Sequence, residues 1–139
     1  MAAIKGGHAA VVKLLLACGA DPSAGSSGAL AVAAAAEDGV ALGQLLSRGV
    51  PHPGKRPMAP GGVPMAPLTI ATARVHTANV AALLPTATDA DVRDAVAFIG
   101  EMIGKAGAGG IFVAKHFAPV IAPLHKAAAA RGLEGLRLP

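Results

Sequence analysis

The chain repeats itself, and that property limits its folds more than any other. In the first segment, Ala3-Ile4-Lys5-Gly6-Gly7-His8 leads to Val11-Val12-Lys13-Leu14-Leu15-Leu16 and then Gly19-Ala20-Asp21. The second runs from Gly28-Ala29-Leu30-Ala31 and Ala33-Ala34 to Leu42, Leu45-Leu46 and Gly49-Val50. The third has Ala66-Pro67-Leu68-Thr69-Ile70-Ala71, then His76, Val80 and Leu83-Leu84. The fourth has Ala122-Pro123-Leu124-His125-Lys126-Ala127-Ala128, then Gly132 and Leu136. Leu30 and Gly49 are 19 residues apart, and the same step from Leu68 reaches Ala87. Short helical units of this kind leave apolar sides that a stacked neighbour must cover.

The local chemistry is consistent with such units. Proline at Pro67 or Pro123 can open a helix, because the first turn has no amide bond to lose. Leu68 shares a face with Ala71 and Thr72 at i+3 and i+4. Val11-Val12 with Leu14-Leu15-Leu16 supplies an apolar face wide enough for two neighbours. Gly19 stops that helix as a left-handed cap. Asp21-Pro22 and the residues up to Gly28 supply turn chemistry.

These segments resemble the ankyrin repeat, a unit of about 33 residues with a T-P-L-H-x-A opening and two helices. Segment one matches the second half of that pattern from Gly7-His8 through Gly19-Ala20-Asp21, and segment four carries Pro123-Leu124-His125. The resemblance implies an all-α fold: a solenoid of stacked helix-turn-helix units, about three to four and a half repeats. It divides the chain into a partial repeat at 1–24, a repeat at 25–50, a long Pro-rich finger loop at 51–65 and a repeat at 66–87. A diverged repeat or insertion at 88–121 and a truncated terminal repeat at 122–139 complete it. Within 88–121, Val92, Val96, Ile99 and Ile103 recur at helical spacing and Thr88 precedes Asp91 as in a capping box. A helix is expected over about 89–105, stopped by Gly107-Ala108-Gly109-Gly110.

The departures from the family pattern carry their own expectations. Gly28, Ala66 and Ala122 stand where the motif has Thr, while Ala31 and Thr69 stand where it has His. The hydrogen bonds with which those side chains brace the family's turns are lost, which predicts a loose array. Neither end carries a polar capping unit, which suggests a fragment or short product of a longer ankyrin protein.

Composition narrows the function classes. Alanine, glycine and proline number 34, 18 and 11 of 139 residues, so the core is built from small side chains. Three phenylalanines are the whole aromatic content, too few for a base-stacking platform. The net charge is +4, with basic residues scattered rather than clustered, so no nucleic-acid partner is expected. Cys18 is the single cysteine, which excludes an intrachain disulfide and favours a cytoplasmic or nuclear setting, with organelle targeting left open. No unbroken run of 18 apolar residues occurs, so no membrane span is expected.

No catalytic constellation survives inspection. Gly104-Lys105 lacks the rest of a phosphate loop: Ile99 takes the first glycine position and Ala106 the Ser/Thr position. The five histidines offer no i, i+4 pair and no cysteine at zinc spacing. His8, His76 and His125 fall at positions that are structural in the family. Asp89, Asp91, Asp94 and Glu101 share one expected helix, Asp91 and Asp94 near its positive end. No catalytic, cofactor-binding or metal residue is assigned, and no cofactor is expected.

The resemblance implies a protein–protein interaction module without catalysis of its own. The alternatives are a regulatory segment of a larger enzyme or channel, or a decayed remnant. Family partners bind the turn tips and the first-helix face, which here means Lys5, His52, Lys55, Arg56, Ala73 and Arg74. Lys55-Arg56 on a long finger fits an acidic protein partner. The oligomeric state is left open.

Overall fold

The computed structural model describes residues 2–6, 8–22, 29–50, 56–57 and 64–133. The described residues are all-α apart from one two-residue strand pair. Its helices are α1 (Ala2–Lys5), α2 (Ala9–Ala17), α3 (Ala29–Ala35) and α4 (Val40–Ser47), then α5 (Pro67–Ala73), α6 (Thr77–Leu83), α7 (Asp89–Lys105) and α8 (Gly110–Ala130). Between α4 and α5, strand β1 (Arg56–Pro57) pairs antiparallel with β2 (Pro64–Met65), Arg56 opposite Met65 and Pro57 opposite Pro64. Two facing prolines have no N–H to donate, so this ladder ends where they meet.

The helices lie in two rows. α1 packs on α3, α3 on α5, and α5 on α7; behind them α2 packs on α4, α4 on α6, and α6 on α8. The small residues explain how the first row comes so close. Ala29, Leu30, Ala31, Ala33 and Ala34 are buried on α3, and every residue from Pro67 to Thr72 is buried on α5. Leu42, Leu45, Leu68, Ile70, Val80, Leu83 and Ile99 fill the space between the rows. Each such side chain contributes about 1.5–3 kcal/mol when fully buried.

Turn chemistry repeats along the stack. The helix ends at Cys18, Arg48, Arg74 and Arg131 all close the same way. The next N–H reaches the carbonyl three residues back and the one after it reaches five back, as in Gly19→Leu16 and Ala20→Leu15. The left-handed residue in this motif is Gly19, Gly49 and Gly132, with φ of 84°, 70° and 65°. In the third instance it is Val75, at φ 56°. A β-branched side chain in that region is strained.

The expected helix over 89–105 is α7, and its capping box is complete. Thr88 Oγ1 accepts from the Asp91 N–H at 3.1 Å, and Asp91 Oδ2 accepts from the Thr88 N–H at 3.0 Å. Val92, Val96 and Ile99 are buried and Ile103 is half-buried, as the spacing requires. Pro67 opens α5 at its first turn, also as expected.

Two readings of the sequence are corrected. No helix opens at Pro123: Pro119 and Pro123 both lie inside α8, which starts at Gly110. The Pro-Leu-His motif there is the middle of a second-row helix, and Leu124 is buried within it. The apolar face of α2 is only half used. Val12 is buried, but Val11, Leu14 and Leu15 are exposed, because α2 has α4 on one side and no described helix on the other. The stretch Gly107–Ala130 also meets the length and mean hydropathy (1.2) of a membrane-crossing helix. Counting unbroken apolar residues passed over it because Lys115 and His116 interrupt the run.

Candidate interaction surface

The residues expected to meet a partner are distributed over the first row and the finger. Lys5 is the last residue of α1, and Arg56 is paired through its strand with Met65. His52 and Lys55 lie outside the described residues. Ala73 ends α5 half-buried, and exposed Arg74 caps it, its N–H bonded to the Ile70 carbonyl at 3.2 Å. Lys5, Ala73 and Arg74 therefore share the C-terminal ends of first-row helices. Ala73, half-buried with a methyl side chain, offers a partner little beyond shape.

The turn between α3 and α4 is tied to the start of α6. Asn79, fully buried, donates through Nδ2 to the carbonyls of Ala36 at 2.9 Å and Ala34 at 3.3 Å. A Cβ on Gly39 would lie 2.8 Å from Asn79 Oδ1, so the contact requires glycine there. Glu37 and Asp38 are exposed on this turn, and Asp38 Oδ1 accepts from the Val40 N–H at 2.8 Å. The turn tips thus present acids between α3 and α4 and the base Arg74 between α5 and α6. The bases at these turns are legible in the sequence, whereas Asn79 carries no local signal, because its partners lie 43 and 45 residues away.

The described histidines precede or lie within helices and bring no metal site together. His8 and His76 are the residues immediately before α2 and α6, with nearly equal backbone angles (φ −85°, ψ 71° and φ −82°, ψ 85°). His125 lies in α8. Among the described residues no group of three metal-ligating side chains comes together. A cavity of about 100 Å³ lies between α1, α2, α3 and α4, lined by Ile4, Val12, Leu15, Leu16 and Leu45 with Asp21 as its one charged lining residue. It is smaller than the roughly 300–1,000 Å³ that a small-molecule site needs.

The end of the molecule away from α1 is arranged differently. α7 and α8 form a long hairpin, turned by a 3₁₀ segment at Gly107–Gly109. A Cβ on Gly110 would stand 3.1 Å from the Ile103 carbonyl oxygen, so glycine lets the two helices close at the turn. Phe98 and Phe117 meet edge to face, their centroids 6.2 Å apart. Arg131 locks the far end: Nη2 donates to the Leu84 carbonyl at 2.7 Å, and Nη1 donates to the Ala87 carbonyl at 2.6 Å and to Asp89 at 3.1 Å. Ile111 and Phe112 are 64% and 72% exposed just after the turn, and Met102, in the last turn of α7 before it, is exposed as well. Lys105 holds the Glu101 carboxyl below its usual range by hydrogen bond and charge.

No family model, curated protein or solved structure matches this chain.

Proposed function

We propose that this chain is a degenerate ankyrin-type array that serves as a protein–protein interaction module and has no catalysis of its own. The observation that carries this reading is the two-row stack. Four consecutive helix pairs pack first helix on first helix and second on second, each row continuing through the next pair. Repeated glycine-type turns and a hairpin finger between the second and third pairs support it further. Arrays built this way present first-helix faces and turn tips as one extended surface. Lys5, Arg74 and the finger residues His52, Lys55 and Arg56 are the positions through which an acidic protein would bind.

The test is affinity capture with the full chain and with the double variant Lys55→Ala, Arg56→Ala. A specific protein retained by the parent chain and lost from the variant is the expected result. Capture that is indifferent to both substitutions removes the finger from the proposal.

A further inference from the structure

We propose that the tip and outer face of the α7–α8 hairpin bind the surface of an anionic lipid bilayer, Ile111 and Phe112 entering the acyl region and Lys115 and Lys126 meeting the headgroups. The proposal starts from what the tip lacks. From Ile103 to Ala114 the only polar side chain is that of Lys105, and Glu101 already engages it at 2.6 Å. A specific protein interface carries about one hydrogen bond per 100–200 Å². This tip has almost no side chains with which to make them, yet Ile111, Phe112 and Met102 are exposed together. Fluid hydrocarbon accepts such a surface without requiring matched polar groups.

Shape points the same way. α5 and α6 have seven residues each, whereas α7 has 17 and α8 has 21, so the hairpin helices outrun their neighbours by about 15–20 Å. No residue from 100 to 105 is buried. The apolar residues therefore sit on a protruding turn rather than in a groove.

Charge identifies the headgroup. α8 carries two lysines, Lys115 and Lys126, and no acid, while the acids of the hairpin, Asp89, Asp91, Asp94 and Glu101, all lie on α7. Arg131 is held by Asp89 and the carbonyls beside it, and Lys105 by Glu101. Lys115 and Lys126 are both exposed, and 11 residues bring them to the same side of α8 after about three turns. Lys115 follows Ile111 by one turn, so base and apolar anchor share a face. Basic residues flanking an apolar face are the pattern of helices that lie in an anionic interface.

The same geometry argues against spanning, although Gly107–Ala130 has the length and hydropathy for it. The opposite face of α8 buries Phe117, Val120, Leu124 and Ala128. α8 could not leave the stack without uncovering them and α6.

The chain has no tryptophan, so Phe112→Trp introduces a single fluorescent reporter. The full chain carrying it is mixed with vesicles of phosphatidylcholine alone or of phosphatidylcholine with phosphatidylglycerol. A blue shift and quenching by brominated lipid are expected with the anionic vesicles only, and high salt should reverse them. Val11→Trp, at the other end of the stack, should not shift. In flotation of the chain without a reporter, Lys115→Glu with Lys126→Glu should weaken binding roughly tenfold or more. Ile111→Ser with Phe112→Ser should abolish it while the melting curve stays unchanged, since both side chains are exposed. Equal binding to neutral vesicles, no shift at position 112, an equal shift at position 11, or retention after an alkaline carbonate wash would each overturn the proposal.

Discussion

The short pairs and the long hairpin solve the same packing problem with different means. In α1 through α6 the helices run four to nine residues, too short to be stable alone, so each depends on its neighbours in the row. Their interfaces are mostly small and aliphatic side chains, with Asn79 as a buried polar tie between pairs. The α7–α8 hairpin carries its own capping box, its own aromatic contact and an arginine clasp. Stability in the first part is therefore shared along the array, whereas the hairpin brings local order of its own. That surplus allows its tip to stand exposed.

The largest loss is expected at Leu68, fully buried in α5 between the pairs and the hairpin. Leu68→Ala should cost about 2–5 kcal/mol and lower the melting temperature of the whole stack. Ile111→Ala at the hairpin tip should cost less than about 0.5 kcal/mol, both variants being measured by urea titration. Similar losses at the two positions would mean that the tip is not the exposed surplus described here.

Arg131 tests whether the hairpin is clasped onto the stack. Its guanidinium donates to two carbonyls in the link between α6 and α7, and Arg131→Ala should cost about 1.5–3 kcal/mol. Asp89, 59% exposed, should matter far less: Asp89→Ala should cost no more than about 1 kcal/mol. Lysine at 131 lacks the fork that reaches both carbonyls and should not restore stability. Asn79→Ala is the equivalent cut within the short pairs. It leaves the carbonyls of Ala34 and Ala36 without their donor, at a cost of about 1–3 kcal/mol. Hydrogen exchange should show that loss first in α3, α4 and α6, and the Arg131→Ala loss first in α7 and α8.

What the sequence disclosed divides along the line between local and distant causes. Thr88 with Asp91, Gly19 and Pro67 each act within one turn, so the residues themselves declared the helix ends. Pro123 did not, because Pro-Leu-His reads the same at a helix start as in the interior of one. The twelve residues from 110 to 121 contain only Pro119 as a warning, and α8 absorbs both prolines. Val11, Leu14 and Leu15 show a second limit: periodicity tells which residues share a face, not whether a neighbour exists to cover it. Asn79 and Arg131 were invisible for a third reason, since their partners lie more than 40 residues away. The candidate surface inherits these limits. Arg74 was found because it stands at a turn, but the exposed tip around Phe112 depends on where a hairpin ends.

A further contrast lies in the turn motif shared by both parts of the molecule. Gly19 and Gly49 in the short pairs and Gly132 after the hairpin occupy the left-handed position, and Val75 occupies it after α5. Left-handed geometry costs a non-glycine residue of order 1–3 kcal/mol, while glycine loses about 0.5–1 kcal/mol of chain entropy on folding. The balance favours glycine, so Val75→Gly should stabilise the protein by about 1 kcal/mol, less whatever contact the half-buried valine makes with the core. Gly49→Val should impose the converse strain on the second pair. Nothing lies within 4 Å of a Cβ built there, so any loss would report backbone geometry rather than crowding. The melting temperature should therefore rise a few degrees for Val75→Gly and fall for Gly49→Val. A stack insensitive to both would mean that these turns do not limit the short pairs, and the contrast with the hairpin would rest on side-chain ties alone.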